Sequence, residues 1–99
     1  PLQVKILPIS DSQLEYCSTI EQELRKVGVR VKTDNRNEKI GYKIREAQLE
    51  KVPYMLVIGD KEIEANAVAV RSRKDGDLGQ VKVEDFVKKI KEEIDTKSK

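Results

Sequence analysis

Histidine is absent from the 99 residues, and cysteine occurs once, as Cys17. Without imidazole the usual general base of a proton shuttle or nucleophile triad is missing. A single thiol makes neither an internal disulfide nor a thiolate and imidazole metal cluster. Rings are scarce as well: no tryptophan, one phenylalanine and three tyrosines, so any stacking on nucleic acid must be modest. Charge of one sign is also lacking. Twenty Lys and Arg against eighteen Asp and Glu leave a formal +2, so attraction to a polyanion has to come from local clustering. No apolar run approaches the roughly 20 residues that span a bilayer, which excludes a membrane helix as a reading of this sequence. Neither a Walker-type nor a GxGxxG pattern occurs, Gly59-Asp60 alone is too weak for a phosphate loop, and "LPISDS" lacks the paired acids of a response regulator. No reaction is visible, and a reducing, cytoplasmic compartment fits best.

What is present is periodic. Leu2, Val4 and Ile6 alternate with polar residues and predict a first strand ending near Pro8. Ser10 with Gln13 makes a capping-box pattern, and Leu14, Cys17, Ile20, Leu24 and Val27 follow at helical spacing up to a left-handed stop at Gly28. "VRVKT", residues 29–33, predicts a second strand. A second helix is expected from about Glu38 to Glu50, with Ile40, Ile44 and Ala47 inward and Tyr42 and Leu49 on its far side. "VPYMLVIGD" is the most continuous apolar run, the pattern of a central strand covered on both faces. Residues 61–73 alternate about Asn66 and read as a short arm returning into an antiparallel strand from about Ala67 to Arg73. A turn at "KDGD", a brief edge segment at "LGQVKV" and a last helix from Val83 or Glu84 follow, with Phe86, Val87, Ile90 and Ile94 on one face and "TKSK" frayed. The order β-α-β-α-β-β-(β)-α implies one domain: an α/β, three-layer α/β/α sandwich on a mixed, mostly parallel sheet of about five strands.

Ligands on open α/β sheets tend to bind beyond the carboxyl ends of the parallel strands. There the loop at 34–39 carries Arg36, Asn37 and Lys39 at a helix start, whose free N–H groups favour phosphate. Asn37 as a simple helix cap, and Arg36 and Lys39 as solvated charges, remain alternatives. Arg45 lies away from the Ile40/Ile44 stripe. Glu62 and Arg71 are expected on opposite arms of the hairpin-like segment, either as a cross-strand ion pair or as readers of two neighbouring bases. An arginine fork matches two acceptors on guanine, and a carboxylate accepts from a base N–H. Arg73 and Lys74 add positive charge nearby. Cys17 falls in the apolar stripe of the first helix and reads as a packing residue.

The phrases "RVKTDNRNEKIGYKIREAQLEKVPYMLVIGDKEIE", "VAVRSR" and "DLG" strongly resemble the C-terminal anticodon-binding domain of bacterial threonyl-tRNA synthetase, a class II synthetase. The resemblance covers essentially the whole chain; prolyl-, histidyl- and glycyl-tRNA synthetases share the fold. It implies a module cut from the end of a longer synthetase, expected as a monomer; the start without Met suggests the same, although processing of a short native chain would begin the same way. It implies that Asn37, Lys39, Glu62 and Arg71 read the GU of the second and third anticodon positions, Arg71 on guanine and Glu62 on uracil, with Arg45 in support. Together they would wall one pocket. Arg36, Lys51 and Arg73 would meet phosphates, although Glu50 stands where the family often has a second basic residue. The implied partners are the tRNA for threonine and the catalytic domain, docked through Tyr42 and Leu49, with no membrane or DNA. No cofactor is expected in this domain; ATP and zinc belong to the absent catalytic domain. The competing reading is a protein-interaction or accessory domain that kept this fold without reading RNA.

Overall fold

The computed structural model describes residues 2–97. Strands β1 (Val4–Pro8), β2 (Val31–Thr33), β3 (Tyr54–Ile58), β4 (Ala67–Ser72) and β5 (Gly76–Lys82) form one sheet in the order β2-β1-β3-β4-β5. β2, β1 and β3 are parallel, and β4 runs antiparallel to both its neighbours. Four of the five strands therefore point the same way. The helices are α1 (Leu14–Lys26), α2 (Ile40–Leu49), α3 (Asp60–Ala65) and α4 (Val83–Lys97).

Strand alternation divides the apolar residues between two faces. Val4 and Ile6 of β1, Leu56 and Ile58 of β3, and Val68 and Val70 of β4 meet Cys17, Ile20 and Leu24 of α1 and Phe86 and Ile90 of α4 in the main core. On the other face Leu7 and Met55 are covered by Ile40, Ile44 and Ala47 of α2, with Val57 alongside. The expected three-layer sandwich is what forms. Cys17 is fully buried, and desolvation pushes its thiol up to about 12 against the pull of Lys43, so it packs and does not react.

Four expectations change. Residues 60–65 are helical, not a hairpin arm; six residues with one central isoleucine, Ile63, satisfy a period of 2 and of 3.6 about equally well. The helix is favoured by Glu62, whose Oε1 accepts the Gly59 N–H at 2.7 Å, and it stops at Asn66 in the left-handed region, φ 52°. α2 starts at Ile40, with Lys39 in the cap position and no side chain capping it, so Asn37 is not the cap. β5 is longer than the edge segment expected, beginning at Gly76. At the end of the chain Thr96 and Lys97 continue α4, where fraying was expected; Ser98 and Lys99 lie outside the described residues.

Candidate nucleic-acid interface

α2 packs across β1 and β3 and leaves the same face of β4 and β5 bare. On that face Ala69 and Arg71 of β4 stand opposite Gln80 and Asp77 of β5. At 100° per residue, Gly41, Arg45 and Gln48 share one flank of α2. Gln48 lines a cleft with Met55, Arg71 and Asp77, which turns that flank towards the bare strands. Lys82 Nζ donates to Ala65 O at 2.7 Å and Gln80 Nε2 to Glu62 Oε2 at 3.1 Å, so α3 closes the upper edge. The result is an open platform with helical walls on two sides.

Arg71 is half-buried on this platform and has no ion pair or side-chain hydrogen bond among the described residues. The register shift between Val70 and Arg71 adds Leu78 on β5, a bulge that bends the edge strand and re-aims its neighbours. Glu62 does not pair with Arg71. Its carboxylate bridges the Gly59 N–H and Gln80, and Gln80 stands opposite Ala69, two residues or about 7 Å along β4 from Arg71. The two groups are thus placed side by side, each free of the other. Lys39 is nine residues before Gln48, about 14 Å along the axis of α2. The first turn of α2 therefore stands at the other end of the platform from Arg71, and the single pocket expected from the sequence is an extended surface.

At the upper end the loop after β2 is held by buried groups. Lys43 is 2 % exposed, and its Nζ donates to Pro8 O and Asp34 O, both at 3.1 Å. Arg36 closes a fork on Asp34, Nε to Oδ1 at 2.9 Å and Nη2 to Oδ2 at 2.8 Å, and also bonds Glu46. Tyr42 donates to Glu46 at 2.9 Å with the Arg36 guanidinium 5.8 Å from its ring centroid. Arg36, expected at phosphate, is thus occupied by two carboxylates. Asn37 and Lys39 remain exposed beside it with no side-chain partner among the described residues.

This cluster sets an acid limit on stability. Hydrogen bonds from Arg36 hold the Asp34 carboxyl at about 2 against the opposing effect of burial, below its unfolded value of about 3.9. The stability it confers is complete above about pH 4 and is lost as pH falls through about 2. Urea midpoints should therefore stay level from neutral pH to about 4 and decline below. Asp34→Asn should lower neutral-pH stability by up to about 2 kcal/mol and flatten that decline; an unaltered acid limb would show the pair to be inert.

The lower end carries Lys51, Arg71 and Arg73. Lys51 N donates to Gln48 O and Val52 N to Ala47 O, a Schellman ending with Lys51 at φ 61°, where glycine is usual. Lysine there bears a local strain of the kind found at functional positions. Its side chain and that of Arg73 are exposed. Sequence reasoning missed Gln48, Gln80 and Lys43. The alternation of "LGQVKV" places Gln80 beside Lys82 on one face, a usable signal, whereas nothing in the sequence marks Lys43 as the buried lysine. Among the described residues no group of three or more His, Cys, Asp or Glu is placed to hold a metal ion, and no helix is long and apolar enough to cross a membrane.

With this geometry in place, likeness to known proteins decides the family. Residues 3–93 match the profile of the anticodon binding domain. The chain belongs to that family. The domain is 61% identical over 98 residues, 99% of the chain, to a threonine–tRNA ligase of Clostridium botulinum, of which it spans 15%. It superposes on the RNA binding domain of threonyl-tRNA synthetase from Cryptosporidium parvum with a TM-score of 0.84 at 34% identity, covering 90% of this chain and 22% of that one. Two crystal structures of prolyl-tRNA synthetase from the same organism give TM-scores of 0.87 and 0.86 at 29% identity, covering 97% of this chain and 21% and 22% of the neighbour respectively. The resemblance read from "RNEKIGYKIREA" and "VPYMLVIGDKE" is therefore borne out for this anticodon-binding domain, with threonyl-tRNA synthetases among its relatives.

Proposed function

We propose that the chain is the anticodon-reading module of a threonyl-tRNA synthetase, recognising the GU of the second and third anticodon positions. Charging of the tRNA with threonine, with its ATP and zinc, falls to a catalytic domain outside this chain, and the module is not an enzyme by itself. The observation that carries this reading is Arg71, a half-buried guanidinium with no carboxylate partner among the described residues, on a bare sheet face. Its fork suits guanine O6 and N7. Glu62, fixed by Gly59 and Gln80, accepts from the uracil N–H. Arg45 and Gln48 approach from α2, Asn37 and Lys39 from its first turn, and Lys51 and Arg73 neutralise phosphates. Arg36 is the weakest of the phosphate candidates because Asp34 and Glu46 already hold it. The buried, lone Cys17 supports a cytoplasmic setting.

The test is titration of the chain with a hairpin carrying a GU anticodon and with hairpins in which one of those bases is changed. Preference for GU is expected. Equal affinity for every loop, or none, would favour the accessory-domain reading.

Docking on the catalytic domain is assigned to Tyr42 and Leu49, 48% and 76% exposed and seven residues apart on one stripe of α2, away from the platform. In a synthetase containing this domain, replacing both with Ser should expose that stripe to faster amide exchange while the domain itself stays folded. Unchanged exchange would dismiss the contact.

A further inference from the structure

Ile9 is an aliphatic side chain left 49% exposed just past the end of β1. Alternation from Leu7, which lies in the α2-side core, puts Ile9 on the α2 side of the sheet, at the upper end of the platform. Its backbone is fixed, Ile9 N donating to Ile58 O at 2.9 Å. Gly59 follows Ile58, and a Cβ built on it would lie 2.8 Å from Ile9 Cδ1 and 3.3 Å from Glu62 Oε1. Gly59 is extended, φ −121° and ψ −171°, a conformation open to any residue. The space a Cβ would fill is thus taken by the flexible ends of Ile9 and Glu62, which a side chain at position 59 would displace.

An exposed aliphatic side chain and a fixed carboxylate therefore border the same small space. Among the described residues the other rings and exposed apolar groups are elsewhere: Tyr16, Tyr54 and Phe86 belong to the main core, Tyr42 and Leu49 to the outer stripe of α2, and Leu78 to the β5 bulge beside Arg71, away from Glu62. A carboxylate accepting a base N–H in open water discriminates weakly, because water competes for the same bond. An apolar surface against the face of the base removes that water and adds contact that no base sequence alters. We infer that Ile9 is the surface on which the base read by Glu62 stacks, and that Gly59 is glycine to let Ile9 lie beside that carboxylate. This rests on the anticodon reading above and adds a residue to it that touches the base without hydrogen bonds.

The chain is titrated with the GU hairpin and with the same hairpin made abasic at the uracil. Ile9→Ala should weaken binding of the intact hairpin about tenfold, of the order expected for removing part of a buried aliphatic contact, and leave the abasic hairpin's affinity unchanged. Ile9→Val should keep most of the affinity. Gly59→Ala, which forces Ile9 aside, should reproduce the loss with Ile9 itself intact, its fold checked by an unchanged thermal midpoint. Equal weakening on both hairpins, or no weakening with Ile9→Ala, would overturn the assignment even if Arg71 retained its base preference. A wild-type chain indifferent to loop sequence would instead overturn the anticodon reading and this inference together.

Discussion

Arg71→Ala is expected to weaken binding of the GU hairpin by about 1–3 kcal/mol, with the loss concentrated at the guanine position. The expectation follows from the Arg71 side chain in the free domain, which makes no ion pair or hydrogen bond among the described residues. A surface arginine paired with a carboxylate must give up that pair to bind a base, and the net gain is small. The Arg71 guanidinium has no such pair to give up among the described residues. Its backbone is rigid, paired to Met55 on one side and Asp77 on the other beside the bulge, so little ordering is left for the moment of binding. Removing the fork should therefore change discrimination more than folding. Measured against hairpins altered at each loop position, a uniform loss would make Arg71 a phosphate contact, and the salt slope would fall by about one.

The second large effect is on stability. Lys43→Met keeps much of the volume of the side chain but removes three donors from a site that is 2 % exposed. Pro8 O and Asp34 O, both bonded to Nζ, would be left facing an apolar group. Each unsatisfied buried acceptor costs about 1–3 kcal/mol, so a loss of about 2–4 kcal/mol in urea unfolding is expected. The effect should spread beyond packing, because this ammonium ties the end of β1 to the loop after β2. Faster amide exchange is expected in residues 34–39. A loss under about 0.5 kcal/mol would mean that water enters and satisfies both carbonyls.

How far the sequence revealed this molecule depended on the length of each signal. Leu14, Cys17, Ile20 and Leu24 repeat over several turns and predicted α1, and the unbroken apolar run at 52–60 predicted a central strand; both stand. Six residues of "DKEIEA" carried too little pattern, and a helix was read as a strand arm. That error moved Glu62 from a supposed pairing partner of Arg71 to an independent group on α3. The site was legible as a set of residue types, but not as an arrangement. Alternation cannot tell which half of a sheet face a helix will cover, and that choice by α2 is what makes the platform. Lys43 was illegible for a related reason: a lysine among polar neighbours reads as exposed until the carbonyls that receive it are in place.

The bulge at Leu78 has a bearing beyond the aim of Arg71. β5 is the last strand of the sheet, nearly all of it exposed, and such a margin is a template onto which another copy could add a strand. Here the extra residue, the left-handed glycines at 76 and 79, and the charges of Asp77 and Lys82 interrupt the regular row of donors and acceptors. The irregularity that bends the edge of the proposed RNA surface also makes the domain a poor seed for its own aggregation. Straightening β5 to improve its pairing would put that protection at risk.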